Sequence, residues 1–178
     1  MTQSLTQSAI VWPQDYLPGT TDNFVSNEII VAGLTAHEIW AQLNDTRLWP
    51  TYYSNAQDIR FHDGSGPLLS ASARFRFTTF GFPVEAQVCE YVPPVEGQAA
   101  RIAWYGWVEG DAQSRLDAIH AWLFEDLPGS RVRILTQESQ TGVPARQLAS
   151  AVPNPMINAH QEWIVGLATA ARNARAKE

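Results

Sequence analysis

Cysteine, lysine and long apolar runs are what this sequence has least of. Cys89 is the single cysteine in 178 residues, so no disulfide framework exists and a reducing cytoplasm is the expected compartment. One thiol and four histidines dispersed along the chain also argue against structural zinc, which takes four closely spaced ligands. No metal and no cofactor are expected. Lys177 is the only lysine, the arginines are scattered, and the net charge is −6. Nucleic acid, which wants a clustered basic surface, is therefore not an expected partner. No apolar run approaches the roughly 20 residues that span a bilayer. Met1 to Ala9 lacks the charged-then-apolar pattern of a secretory leader. Glycine-rich phosphate loops, Ser-His-Asp orders and zinc-protease motifs are missing too.

What is present is apolar and aromatic. The chain is 45% hydrophobic with seven tryptophans, enough to fill the core of one domain that buries about two-thirds of its unfolded surface. Its longest pattern is the last. Asn154 is a good N-cap and Pro155 suits a first helical turn. Met156, His160, Trp163, Ile164, Leu167, Ala168 and Ala171 then recur at three- and four-residue steps, with polar residues opposite. A histidine on such a stripe needs a polar partner, either in the core or in a pocket. Ala145 to Ala151 predicts a shorter helical piece, interrupted at Val152-Pro153.

Residues 1–22 read as an N-terminal extension and 23–178 as the domain. Met1 to Ser8 is polar and expected to be loose, whereas the aromatic arm around Trp12 and Tyr16 is expected to dock. Asn23 to Ala32 reads as a first strand. Thr35 with Glu38 spells a capping box, and Leu34 can staple to Ile39, opening a helix that buries Ile39, Trp40 and Leu43. Asp45 can cap a second short helix carrying Leu48 and Trp49, with Tyr52 and Tyr53 at its exit. Strands follow over Ala56 to His62, Ser70 to Phe80, Gly81 to Val92, Arg101 to Val108, Arg115 to Glu125 and Arg131 to Thr141. In the third of the chain's strands, Phe75 and Phe77 alternate with Arg74 and Arg76, one dry face and one wet. Strands in sequence with helices set apart predict an α+β fold, an antiparallel sheet packed on one face by helices.

Ile39-Trp40-Ala41-Gln42-Leu43-Asn44-Asp45 with Trp49-Pro50, Ile102-Ala103-Trp104, and His120-Ala121-Trp122 followed by Glu138 and Gly142 together resemble the START-like helix-grip superfamily (SRPBCC). The likeness is greatest to its polyketide cyclase/dehydrase branch and runs from Asn23 to Ala174. It implies a curved antiparallel sheet of about seven strands around a long C-terminal helix, with two short helices after the first strand. It also implies a cavity between sheet and helix that takes a hydrophobic or aromatic small molecule, a lipid included.

Pairing Phe124 with Ile134 across the Pro128-Gly129 turn sets Trp122 opposite Thr136 and His120 opposite Glu138, within hydrogen-bonding reach. Such a pair serves either as an acid/base or as a satisfied polar contact of the sheet. Candidate ligand-binding residues are Tyr52, Tyr53, Phe75, Phe77, Trp104, Trp122, Phe124, Thr136, His160, Trp163, Ile164 and Leu167. The tryptophans among them could stack a ligand or fill the core. Three functions follow: a small-molecule binding protein, a cyclase or dehydratase using His120 with Glu138, or a co-chaperone-like interaction module. A monomer or a homodimer fits each.

Overall fold

The computed structural model describes residues 6–177. One antiparallel sheet contains β1 (Asn23–Ala32), β2 (Gln57–Phe61), β3 (Arg74–Thr79), β4 (Phe82–Val92), β5 (Ala100–Val108), β6 (Leu116–Leu127) and β7 (Arg131–Thr141). Their order across the sheet is β1-β7-β6-β5-β4-β3-β2. Helices α1 (Ala36–Asn44) and α2 (Trp49–Tyr52) follow β1, while α3 (Val143–Ser150) and α4 (Pro155–Arg175) follow β7. This is the α+β helix-grip arrangement expected from the sequence.

Local chemistry accounts for the element boundaries. Thr35 Oγ1 accepts from the Glu38 N–H at 3.3 Å and Glu38 Oε2 accepts from the Thr35 N–H at 2.8 Å, so the capping box closes reciprocally at the start of α1. Asn154 Oδ1 accepts from the Met156 N–H at 3.0 Å and starts α4. Along β3 the alternation buries Phe75 and Phe77 and leaves Arg74 and Arg76 exposed. The β6–β7 register pairs Phe124 with Ile134, Trp122 with Thr136 and His120 with Glu138, as the turn predicts.

α4 lies across the inner face of the sheet and buries Ala159, His160, Trp163, Ile164, Leu167, Ala168 and Ala171. It packs against β1 and α1, and Asn27 Nδ2 donates to the Ile157 carbonyl at 3.0 Å. Gly166 admits α2: a Cβ there would stand 2.2 Å from the Tyr52 carbonyl oxygen.

The outer face carries a second apolar layer. Ile10, Trp12 and Tyr16 of the N-terminal arm cover Ala103, Ile119, Ala121, Leu123 and Leu135. Beneath the arm, buried Arg133 pairs with Glu28 at 2.7 Å and Glu125 at 3.2 Å, and donates to the Ser8 carbonyl at 2.8 Å. The leader expected to be loose lies partly outside the described residues, and Ser8 is bonded rather than free. Among the described residues no helix is long and apolar enough to cross a membrane.

Candidate functional site

The space between sheet and α4 is filled at one end and hollow at the other. Trp122, Phe124, Ile134, Ile164, Leu167, Ile39 and Leu43 fill the first end. A cavity of about 570 Å³ occupies the second, under α3 and the first half of α4. The reason is visible in the β5–β6 register, where Ile102 faces Trp122, Trp104 faces His120 and Gly106 faces Ala118. From Trp104 and His120 to Gly106 and Ala118 the inward side chains shrink on both strands, which leaves space there beneath α3 and α4.

His120, Glu138 and His160 meet at the inner end of the hollow, all three buried. His160 Nε2 lies 3.0 Å from Glu138 Oε2. His120 Nδ1 lies 3.4 Å from the same oxygen, an ion-pair separation, while its Nε2 bonds Thr136 Oγ1 at 2.9 Å. The His120–Glu138 opposition expected from the register is therefore present, but the hydrogen bonds fall elsewhere: Glu138 bonds His160, and His120 bonds Thr136. Thr136 Oγ1 donates to the Ala121 carbonyl at 3.3 Å, which leaves its lone pairs to accept from His120.

A directed chain of amides ends on the carboxylate. Asn154 Nδ2 donates to Asn23 Oδ1 at 2.7 Å, Asn23 Nδ2 to Gln140 Oε1 at 2.7 Å, and Gln140 Nε2 to Glu138 Oε1 at 2.5 Å. The residue that caps α4 thus also orients the site. Burial pushes the His120 imidazole down, to about 3, against the opposing pull of Glu138, so the ring is neutral at pH 7. Burial pushes the Glu138 carboxyl up, but His120, His160 and Gln140 outweigh it and hold it below the usual carboxylate range.

The three residues each offer a ligand atom, all within 4.8 Å of one another, so the histidines dispersed in sequence are not dispersed in space. The two imidazoles nevertheless stack, with centroids 4.6 Å apart and planes 14° from parallel. A nitrogen lone pair lies in its ring plane, so stacked rings do not aim at one ion. Both would have to rotate before this trio could hold a metal such as zinc, whose ligands sit about 2.0–2.2 Å away.

Of the twelve candidate ligand-binding residues, Tyr53, Phe77, Trp104, His160 and Trp163 line the cavity, as do His120 and Glu138. Tyr52, Phe75, Trp122, Phe124, Thr136, Ile164 and Leu167 do not. Tyr52 donates to the Gln42 carbonyl at 3.1 Å and joins α2 to α1, away from any mouth. Tyr53 is deep, stacked on Trp163 with centroids 4.5 Å apart. Phe75, Trp122, Phe124, Ile164 and Leu167 belong to the filled end, and Thr136 lies beneath His120. Sharing a sheet face with the cavity did not place a residue in it, because only one end of that face is hollow. The tryptophans divide likewise: Trp104 and Trp163 form wall, while Trp49 and Trp122 are packing. Residues missed from sequence include Phe80, Phe82, Leu116, Ala118, Gln140, Leu148 and Met156. The signal for several of them was the shrinkage toward Gly106 and Ala118.

A seven-stranded antiparallel sheet gripping a C-terminal helix over an internal cavity defines a helix-grip protein. No family profile and no curated protein matches the sequence. Among solved structures, the hypothetical protein jhp0584 from Helicobacter pylori is 47% identical over 94% of this chain and 98% of its own, with a TM-score of 0.89. The fold is shared with a Thalictrum norcoclaurine synthase, solved as a point mutant with a transition state analogue: 11% identity, 86% of this chain, 96% of that one, TM-score 0.58. It is shared too with the di-domain ARO/CYC BexL of the BE-7585A biosynthetic pathway: 12% identity, 86% of this chain, 46% of that one, TM-score 0.56. The chain belongs to the same family as the Helicobacter pylori protein and has the helix-grip fold.

Proposed function

We propose that this protein binds a hydrophobic or aromatic small molecule in the cavity between the sheet and α4. The observation that carries the reading is a hollow of about 570 Å³ with an aromatic and aliphatic wall that ends on His120, Glu138 and His160. Ligand sites combine this kind of apolar concavity, about 300–1,000 Å³, with a few convergent polar groups. Residues 23–178 are the binding domain in this reading and 1–22 an extension, of which Ile10, Trp12 and Tyr16 cover part of the outer sheet face. Native mass spectrometry of freshly purified protein tests it. A co-purifying lipophilic mass, lost on denaturation and reduced in Ala118→Phe, is the expected result. A bare protein that also takes up no aromatic compound would overturn it.

A second reading, a cyclase- or dehydratase-like enzyme, is favoured by a buried neutral imidazole beside a carboxylate at the end of the cavity. Two proteins that share the fold, an ARO/CYC protein and a synthase, are in keeping with that chemistry. In this reading His120 exchanges a proton with the bound molecule and Glu138 stabilises the imidazolium formed. His120→Gln would then retain ligand and abolish turnover. Equal turnover in wild type and variant would discard the role.

A further inference from the structure

The cavity has an electrostatic character that selects among hydrophobic ligands. Among the described residues no lysine or arginine lines it, and Glu138 is the one carboxylate that does. The arginines next to it in sequence face away and are already engaged: Arg115 pairs with Asp117 at 2.8 Å, and Arg146 with Asp22 at 3.1 Å.

Glu138 is hydrogen-bonded from two sides. Both of its oxygens are met by nitrogen, Oε1 by the Gln140 amide and Oε2 by His160 Nε2. The amide orientation is set upstream, since Gln140 Oε1 is occupied by Asn23 Nδ2 and only the NH₂ can face Glu138. Its neighbours hold the carboxyl below the usual carboxylate range, so it is ionised at pH 7, and a carboxylate offers about four lone-pair sites, of which these contacts use two. His120 Nδ1, 3.4 Å from Oε2, is a second acceptor at the same spot when the ring is neutral and its Nε2–H is given to Thr136. The floor therefore presents negative charge and lone pairs.

We propose that the cavity takes a flat aromatic ligand whose polar end is a hydrogen-bond donor, a phenolic hydroxyl or a protonated amine. Anionic amphiphiles such as fatty acids, aryl carboxylates and phosphates are rejected, and Glu138 is the selector. A donor seated against Glu138 Oε2 and His120 Nδ1 has two acceptors in reach: a hydroxyl donates to one of them, an ammonium to both. A carboxylate there would set two like charges together, with no lysine or arginine among the lining residues to pair with it. This inference rests on the cavity-binding reading and adds the charge and hydrogen-bonding sense of its occupant.

The test uses the full chain and three ligands of one shape: 2-naphthol, 2-naphthylmethylamine and 2-naphthoic acid. Each is titrated at pH 7.5 with a chelator present, by calorimetry or by ligand fluorescence. The naphthol and the amine are expected to bind at least roughly tenfold more tightly than the acid, given that like-charge juxtaposition costs several kcal/mol. Glu138→Gln should abolish that preference, weakening the amine most and admitting the acid. Should Glu138→Gln fail to fold, Leu148→Lys provides the converse, adding a cation to the wall and raising affinity for the acid. Naphthoic acid binding as tightly as naphthol to the wild type would overturn the selector and leave cavity binding intact. Binding of none of the three would overturn both.

Discussion

His120 is a buried base kept neutral by its surroundings, which gives it a signature in stability. Its imidazole titrates near 3 in the folded state against an ordinary 6.5, because burial disfavours the cation. A group depressed in the folded state contributes stability above its unfolded pKa and loses it as the pH falls toward the folded value. Stability should therefore decline between about pH 6.5 and pH 3, with Glu138, also depressed, adding a decline of the same sign below its ordinary 4.5. Urea midpoints at pH 7.5, 5.5 and 4.5 measure this. His120→Gln should flatten the upper part of the curve, and an unchanged slope would mean that His120 is not the titrating group. At the other end of the molecule Thr35→Ala removes one side of the capping box and should cost about 1 kcal/mol. Glu38→Gln, which keeps a side-chain acceptor for Thr35, should cost less.

Among the elements, α4 carries the fold and half of the site. Leu167 is fully buried between the sheet and α1, so Leu167→Ala should cost about 2–5 kcal/mol in equilibrium unfolding. A loss below about 0.5 kcal/mol is typical of surface positions and would take this helix out of the core. Gly166 is held by a different constraint, the α2 backbone that lies where a Cβ would go. Gly166→Ala should destabilise despite the higher helix propensity of alanine, since the obstacle is a carbonyl and not a movable side chain. The N-terminal arm is tied by both apolar and polar contacts. Deleting residues 1–20 uncovers Ile119, Leu123 and Leu135 and takes the Ser8 carbonyl from Arg133. A lower melting temperature is expected, and an unchanged melting curve would mean that the arm adds nothing to the domain.

At the scale of the whole molecule the sheet is longer than its core. α1, α2 and the second half of α4 cover one end, whereas α3 stands over the other and leaves a hollow beneath it. A side chain built at the Gly106–Ala118 step should close that hollow without disturbing the filled end. Ala118→Phe is expected to keep a cooperative unfolding transition while losing most ligand uptake. Undiminished uptake in a folded Ala118→Phe protein would place the ligand somewhere other than this cavity.

Much of this was written in local chemistry. The α4 stripe, the Thr35–Glu38 box and the Phe75/Phe77 alternation each depend on residues within one or two turns, so the sequence determined them. The turn at Pro128-Gly129 went further. It fixed the β6–β7 register and set His120 against Glu138, because a short hairpin leaves little freedom in pairing. Tertiary structure alone decided the rest. His160 reached Glu138 because the crossing of α4 over β7 brought a distant helix to that point, and no spacing in the chain encodes such a crossing. The extent of the hollow was likewise settled only by where α4 and the sheet part. A face pattern tells which side chains point inward, but whether they meet a partner or a void depends on the element that covers them.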